Sequence, residues 1–391
     1  MPIYLDHQST TPVDPRVLEQ MLPYFREKFG NAASINHAFG WRAGEAVDRA
    51  RQQVADLLQV EPRAIVFTSG ATEANNLALK GVLRAAPPGS HVVTTAVEHK
   101  AILDPLKRLQ RQRFGVTIVP VNGLGQVDPD QIAAAIRPET VLVSVMWANN
   151  EVGTIQPIAE ISTICQQRGV LLHTDAAQAV GKLSLDLRKI HIDLLSLSGH
   201  KLYAPQGIGA LVVRQGEPRI RLEPLFDGGG HEGRLRSGTL PVALIAGLGA
   251  ACEIASQEMT IEANRLEQLA RQLRDGLSQR LIGLTFNGPL DEPLAPHRSR
   301  LPGNVHLSVA DVDGVALLTN LKEIAVSSGS ACTSADPEPS HVLRAMGIPE
   351  ALSLASLRFG LGRETTAEEI DFTINYVTAT VQRLRAERNR G

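Results

Sequence analysis

The sequence has few cysteines, little net charge and no long apolar run, and each shortage excludes a class of protein. Its 391 residues include three cysteines, Cys165, Cys252 and Cys332, too few and too scattered for a disulfide framework, and none stands in a CxxC metal-binding pattern. The formal net charge of −2 gives no basic surface for nucleic acid. No segment approaches the ~18 consecutive apolar residues of a membrane span, and the N-terminal residues lack a basic segment followed by an apolar run. We therefore expect a cytoplasmic protein with at least one free thiol and no direct nucleic-acid or membrane partner.

What the sequence does contain is an alternation of short apolar runs with helical patterns. The runs are apolar on both faces, which is typical of strands in a buried, mostly parallel sheet. They are residues 64–68, 91–96, 116–121, 140–146, 170–176, 192–198 and 208–213. Because helical segments separate them, the sequence predicts an α/β domain built on a seven-stranded sheet.

The sequence changes character after Thr260. Leucines recur at helical spacing with charges between them through residues 261–281, which predicts a long amphipathic connecting helix. We expect strands near residues 304–309 and 356–360, and a final helix opened by the capping-box spacing of Thr366 and Glu369. A chain of this length exceeds what one core usually supports. We predict a large domain over residues 16–260 and a smaller α+β domain over residues 1–15 and 261–391.

Three motifs follow predicted strands, where ligands of α/β sheets bind. In TSGATEANN, residues 68–76, a glycine turn leads into a helix whose free N–H groups suit a phosphate-like anion, although helix capping alone would look the same. Asp175 closes the strand at 170–176 and points to the ligand crevice, or else caps a helix. Lys201 follows the strand at 192–198. It is either a desolvated amine nucleophile or a lysine that reaches from the strand end into water.

Taken together and in this order, the motifs resemble the fold-type I pyridoxal-phosphate enzymes, specifically their aminotransferase class V branch. The resemblance spans nearly the whole chain, from YLDHQSTTP (4–12) to RFGLGR (358–363). More closely, the sequence is similar to the cysteine desulfurases that feed iron–sulfur cluster assembly. The segments that carry this match are TSGATEANN, VEHKAILD, NNEVGTIQPI, HTDAAQAVGK, LSGHKLYAPQGIGAL, GGGHEGRLRSGTL and SSGSACTSA. The resemblance implies pyridoxal 5'-phosphate as cofactor, L-cysteine as substrate, L-alanine as product, a homodimer, and an iron–sulfur scaffold or another sulfur-acceptor protein as partner.

The resemblance also assigns roles to single residues. It implies that Lys201 holds the cofactor as a Schiff base and moves protons, and that Asp175 pairs with the pyridine nitrogen. His99 would stack on the ring, its alternative being an ordinary helix-start histidine. Arg358 is the implied clamp for the substrate carboxylate, and Thr239 is expected to reach the phosphate bound in the partner subunit. The other implied contacts are Ala71, Thr72, Ser198 and His200 at the phosphate, and Gln178 and Asn150 at the phenolic oxygen, with Asn150 also near the substrate carboxylate.

Cys332 is the residue that points to sulfur chemistry. It lies in VSSGSACTSADPEPS, residues 326–340, a composition that predicts a mobile surface loop. The resemblance implies that its thiolate attacks the substrate sulfur, becomes a persulfide and delivers sulfur for iron–sulfur clusters or tRNA thiolation. We expect no metal site from the protein alone, only transient ligation of a cluster iron by Cys332. Cys165 and Cys252 lie in helix-like apolar segments and are expected to be buried.

Other functions remain open at this point. A selenocysteine lyase, or another class V lyase or aminotransferase, would use the same cofactor frame. A sulfur-relay protein with little catalysis is a further alternative, against which the complete set of cofactor residues argues. Trp147 stands where the family frequently has histidine, so we expect it to reshape the site near the ring.

Overall fold

The computed structural model describes residues 2–217, 219–290, 298–328 and 339–388. The strands in these residues are β1 (Ile3–Tyr4), β2 (Ile65–Thr68), β3 (His91–Thr95), β4 (Gly115–Val119), β5 (Thr140–Ser144), β6 (Leu171–Asp175), β7 (Leu194–Ser198), β8 (Gly209–Val213), β9 (Leu284–Phe286), β10 (Asn304–Val309), β11 (Ile324–Ala325) and β12 (Ser356–Gly360). The α-helices are α1 (Pro15–Arg26), α2 (Ala38–Leu58), α3 (Ala71–Ala85), α4 (Lys100–Arg111), α5 (Pro129–Ala135), α6 (Ile158–Arg168), α7 (Val242–Ser278), α8 (Gly314–Asn320), α9 (His341–Ala345), α10 (Glu350–Leu354) and α11 (Ala367–Arg388).

Strands β2 to β8 form one seven-stranded sheet in the order β2–β8–β7–β6–β5–β3–β4. Four of its pairings are parallel, and β8 runs antiparallel to both of its neighbours, β7 and β2. Each of the seven predicted apolar runs forms one of these strands, so the predicted mostly parallel α/β sheet is confirmed. Every residue of β2, β3, β7 and β8 is buried, as strands covered on both faces must be.

Helices cover the two faces of this sheet. Successive strand residues alternate between two apolar clusters, as Leu142 and Val143 do, because side chains alternate across a strand. One cluster contains residues of α1, α2, α5, α6 and α7, and the other contains residues of α3 and α4. The sheet is therefore the middle layer of a helix–sheet–helix sandwich.

Helix α7 begins well before the predicted connecting helix, at Val242 rather than after Thr260. Its first half is buried nearly all round and packs on α1 and α2, so no polar face marked it in the sequence. A Cβ on Gly249 would lie 2.6 Å from Ala50 Cα, which shows how closely α7 approaches α2. By length and hydropathy α7 is the one helix in the described part of the chain that would suit a membrane span. However, 56% of the 18-residue segment of α7 that meets this criterion is buried within the fold.

A second, separate set of elements surrounds the antiparallel sheet β12–β10–β9. Its apolar cluster contains Leu5 and residues from Leu266 to Val381, drawn from the second half of α7, the sheet and α11. The capping box of α11 is confirmed, because Thr366 N donates to Glu369 Oε2 and Glu369 N donates to Thr366 Oγ1. The boundaries proposed for the two domains stay a prediction.

Candidate active site

The carboxyl ends of five parallel strands meet at one edge of the large sheet, where a cavity of about 570 Å³ opens. The segments that follow β2, β3, β5, β6 and β7 all reach it, because these strands run in the same direction. Ten of the twelve expected site residues line this cavity: Ala71, Thr72, His99, Asn150, Asp175, Gln178, Ser198, His200, Lys201 and Arg358. Its size suits a small cofactor together with a substrate.

The turn before α3 has the properties of an anion-binding cradle. Gly70, with φ of +150°, precedes the helix and supplies no side-chain cap, so capping alone does not explain the motif. A Cβ on Gly209 would lie 2.7 Å from Gly70 Cα, so only glycine permits this approach of β8 to the turn. Ala71 and Thr72 open the helix here, and the Ser198 hydroxyl stands beside the turn. These groups can donate hydrogen bonds to a phosphate.

Asp175, the last residue of β6, is held by two hydrogen bonds. Asn75 Nδ2 donates to its Oδ2 over 2.7 Å, and Ala177 N donates to its Oδ1 over 3.0 Å. Asp175 therefore organises the following turn, as a capping aspartate would, and also lines the cavity. Asn75 is fully buried, so its bond to the carboxylate is shielded from water. The carboxylate is thus presented to the cavity in a fixed orientation.

Lys201 turns its amine inward rather than into water. Its Nζ donates to the backbone oxygens of Gln8, at 2.6 Å, and Ser9, at 2.5 Å. Burial, together with the positive charge of Arg358, lowers the pKa of Lys201 to about 8. A larger fraction of the amine is therefore neutral near pH 7 than for an ordinary lysine, which is what a nucleophilic or proton-transferring lysine requires.

Two histidines at the cavity are held in the neutral form. His99 caps α4, since its Nδ1 accepts a hydrogen bond from Ala101 N, so the other ring nitrogen carries the proton when the ring is neutral. Burial lowers the pKa of His99 and lowers that of His200 to about 4, with the charge of Lys201 acting in the same direction. His99 is therefore both a helix-start histidine and a cavity residue, and its flat ring is uncharged.

Arg358 reaches the cavity from β12, far along the chain. Its Nη2 donates to Asp6 Oδ1 over 2.7 Å, and its Nη1 donates to the backbone oxygen of Asn150 over 3.0 Å. Its Nε is buried and has no hydrogen-bond partner among the described residues. Ser327 also donates to Asp6 Oδ1, over 2.9 Å, which fixes the carboxylate that holds the guanidinium. Arg358 is thus oriented and keeps a donor for an anionic ligand.

Of the remaining predictions, those for Thr239 at a partner subunit and for Cys332 stay untested, and the one for Trp147 is wrong. Thr239 is exposed and does not line this chain's cavity. Cys332 and the rest of residues 329–338 lie outside the described residues, so the predicted cysteine loop stays a prediction. The expectation for Trp147 is wrong, because its side chain is buried in the apolar core and Met146 lines the cavity instead. Adjacent residues of an extended segment point to opposite sides, which separates these two.

The other two cysteines are buried, as predicted. Burial raises the thiol pKa of Cys165 and of Cys252 to about 12. Neither thiol forms a reactive thiolate near neutral pH.

The structure adds site residues to which the sequence analysis gave no role. Asn75 holds Asp175, Asp6 holds Arg358, and the Gln8 carbonyl holds Lys201. Lys182 bonds the side chain of Gln178. All four of these residues lie inside segments that were quoted for the family resemblance, which is the sequence signal that could have found them.

The cavity fits pyridoxal phosphate by the chemistry of its donors. It offers an uncapped helix start for a phosphate, a fixed carboxylate for a protonated ring nitrogen, and an amine of lowered pKa for an aldehyde. Arg358 lines the same cavity and keeps guanidinium N–H groups that its bonds to Asp6 and Asn150 do not use, which suits a substrate carboxylate. In the part of the chain that the structure describes, no cluster of histidine, cysteine or acidic residues could hold a metal ion.

Sequence comparison agrees with this donor set. The family model for aminotransferase class-V matches residues 3–372, and the chain belongs to this family of pyridoxal-phosphate enzymes.

Within that family the chain belongs with the cysteine desulfurases. Cysteine desulfurase IscS of Anaeromyxobacter dehalogenans (strain 2CP-C) is 52% identical to it over 386 residues, which are 98% of this chain and 94% of the relative. A solved NifS-like protein superposes with a TM-score of 0.90 at 36% identity, covering 98% of this chain and 100% of that one. The structure of SspA in complex with cysteine superposes with a TM-score of 0.81 at 35% identity, covering 92% and 98% of the two chains.

Proposed function

We propose that the protein is a pyridoxal-phosphate-dependent cysteine desulfurase that converts L-cysteine to L-alanine and takes the sulfur onto Cys332. The observation that carries this proposal is a single cavity that holds an anion cradle, Asp175, Lys201 and Arg358. The relatives named cysteine desulfurase, and the cysteine-bound neighbour SspA, favour cysteine over other substrates of the same family.

Each cavity residue has a task in this reaction. Arg358, oriented by Asp6, binds the substrate carboxylate through the guanidinium N–H groups that remain. Lys201 holds the cofactor and moves the proton of the substrate α carbon, for which its lowered pKa suits it. When bound, pyridoxal phosphate supplies an electron sink for negative charge at that carbon, and Asp175 supports it at the ring nitrogen.

We assign the sulfur step to Cys332 because this residue lies in SSGSACTSA, one of the segments that carry the resemblance to cysteine desulfurases. Its thiolate attacks the sulfur of the bound substrate, so an S–S bond forms while the C–S bond of cysteine breaks. The electron pair of the C–S bond returns to the substrate, which is protonated and leaves as alanine. One cysteine thus yields one alanine and one enzyme persulfide, without an added oxidant or reductant. A thiol or an acceptor protein then removes the outer sulfur.

Two substitutions test the proposal. Lys201→Ala should abolish alanine formation and remove the visible absorbance of the bound cofactor. Cys332→Ser should keep that absorbance but stop sulfur release from cysteine, whereas a selenocysteine lyase would keep its lyase activity with this change. Cys252→Ala, at a buried thiol that does not line the cavity, is the matched control and should behave as the wild type. A Cys332→Ser variant with wild-type desulfurase activity would contradict the proposal.

We propose a homodimer as the working unit. Thr239 is exposed, and four large apolar side chains on and between α1 and α2 are exposed as well: Phe25, Phe29, Phe39 and Trp41. The rings of Phe29 and Phe39 stack with their centres 5.2 Å apart. A second copy of the chain is favoured as the occupant, because it would cover apolar surface and bring Thr239 to the phosphate of its neighbour.

Mixing two inactive variants tests this arrangement. Thr239→Ala should weaken cofactor retention, and Lys201→Ala should remove covalent attachment. In a mixed dimer the Lys201-bearing site receives Thr239 from the other subunit, so half of the sites should regain wild-type retention. If the mixture retains no more cofactor than the two variants retain separately, Thr239 does not contribute to the site of the other subunit.

The acceptors that we propose are an iron–sulfur scaffold and tRNA-thiolation proteins. Support comes from the resemblance to desulfurases that feed cluster assembly. Incubating the persulfide form with a purified scaffold, iron(II) and a dithiol reductant, which supplies the two electrons that convert each persulfide sulfur to sulfide, should yield a cluster absorbance that Cys332→Ser does not give. Sulfur transfer at the same rate from both forms would contradict a role for Cys332.

A further inference from the structure

Lys182 lies directly behind the cavity but does not line it. Its Nζ donates to Gln178 Oε1 over 3.0 Å, and Gln178 does line the cavity. Gly181, just before it, has φ of +76°, and a Cβ there would lie 3.1 Å from the Cβ of Leu202. The turn that carries Lys182 is therefore packed against the residue that follows Lys201.

The amide of Gln178 is oriented at both of its ends. Its Nε2 donates to the backbone oxygen of Gln8 over 2.9 Å, and a carbonyl can only accept, so the NH₂ group must face Gln8. The amide oxygen then faces Lys182. An amide nitrogen carries two hydrogens, so one remains for a ligand in the cavity. The Gln8 oxygen also accepts from Lys201 Nζ, which joins Gln178 and the reactive amine through one atom.

The contact does not depend on the charge of Lys182. Burial, together with the positive charge of Lys201, lowers the pKa of Lys182 to about 7, and the negative charge of Glu262 opposes this shift. Arg358 is a second positive neighbour that acts in the same direction as Lys201. Both the ammonium and the neutral amine can donate an N–H to Gln178 Oε1, so the bond is available on either side of neutral pH.

We propose that Lys182 is a positioning residue that fixes the side-chain amide of Gln178 with an N–H, rather than its oxygen, toward the phenolic oxygen of the bound cofactor. The inference rests on the proposed function, in which Gln178 bonds that oxygen. Without Lys182 only the Gln8 carbonyl distinguishes the two orientations of the amide, so the flipped orientation, with Oε1 toward an acceptor oxygen, becomes more populated.

A double-mutant cycle tests this coupling. Lys182→Met keeps the aliphatic bulk and removes the donor, Lys182→Arg keeps a donor, and Gln178→Ala removes the amide. The dissociation constant of pyridoxal phosphate, measured by titrating each apoprotein, is expected to rise about fivefold in Lys182→Met and to stay within about twofold in Lys182→Arg. Because Lys182 acts through Gln178, Lys182→Met should add nothing to Gln178→Ala. The pH titration of the bound cofactor's absorbance should shift in Lys182→Met and not in Lys182→Arg.

Several results would overturn the role of Lys182. They are additive effects of Lys182→Met and Gln178→Ala, an unchanged dissociation constant in Lys182→Met, or equal losses in Lys182→Met and Lys182→Arg. If Lys182→Met does not fold, Lys182→Gln, which keeps an amide donor, replaces Lys182→Arg, and Lys182→Leu replaces Lys182→Met in the same cycle. A wild-type protein that binds no pyridoxal phosphate would overturn the proposed function itself, whereas normal binding with additive effects refutes only the inference about Lys182.

Discussion

Replacing Glu98 with glutamine should remove a destabilisation of the folded protein that grows with pH. Glu98 is fully buried, and its Oε1 accepts hydrogen bonds from Thr95 Oγ1, at 2.7 Å, and Met146 N, at 2.9 Å. Its Oε2 has no partner among the described residues. Burial raises the pKa of Glu98 to about 8, so the folded protein keeps this carboxyl protonated at pH 7. A glutamine can keep both acceptor contacts and cannot ionise.

The sign and size of the effect follow from this shift. The folded-state pKa is raised, so the contribution of Glu98 to stability is complete below its unfolded value of 4.5 and is lost as the pH rises toward about 8. Each pKa unit between the folded and unfolded states corresponds to ~1.4 kcal/mol. The free energy of unfolding of the wild type should therefore be up to about 3 kcal/mol lower at pH 7 than below pH 4.5 because of Glu98. The variant loses none of this.

Urea unfolding between pH 5.5 and pH 8.5, followed by tryptophan fluorescence, measures the difference. The free energy of unfolding of Glu98→Gln minus that of the wild type should increase steadily with pH. Glu139→Gln, at an exposed position, is the control and should show a constant difference. A pH-independent difference for Glu98→Gln would refute the conclusion that the folded protein holds Glu98 as the neutral acid.

Three further predictions concern the site. Asn75→Ala removes a buried donor to the Asp175 carboxylate, so the dissociation constant of pyridoxal phosphate should rise about tenfold; unchanged affinity in a titration of the apoprotein would contradict this role. The native protein should take up one alkyl group per chain near pH 8, on Cys332, and three after unfolding, because burial raises the other two thiol pKa values; peptide mass analysis locates the label. The rate at which the apoprotein captures pyridoxal phosphate should rise with pH through about 8, because burial lowers the pKa of Lys201; a flat stopped-flow profile would argue against it.

The sequence was informative where a local pattern determines the structure. Strands buried on both faces leave uninterrupted apolar runs, so all seven strands of the large sheet could be predicted. Asp175 and Lys201 follow two of these strands, and parallel strands end at one edge, which is why both reach one cavity.

The remaining features depend on contacts between distant segments. Helix α7 starts at Val242, but its residues 242–255 are mostly buried and lack the broad polar face by which a helix is recognised. Met146 and Trp147 are adjacent, so their side chains point to opposite sides of the extended segment that follows β5. The sequence does not show which of the two sides faces the cavity. Asp6 and Arg358 are 352 residues apart, and Lys182 acts through another side chain, so no spacing in the sequence joins them to the site.

The central claim is that one cysteine gives one alanine and one persulfide on Cys332. A single turnover without reductant, using the holoenzyme and one equivalent of L-cysteine, tests it when alanine is quantified and the cysteine-containing peptides are weighed by mass spectrometry. The account predicts equal amounts of alanine and of one added sulfur atom on the Cys332 peptide, with none on the Cys165 and Cys252 peptides. Alanine or pyruvate released with free sulfide and without sulfur on Cys332 would contradict it.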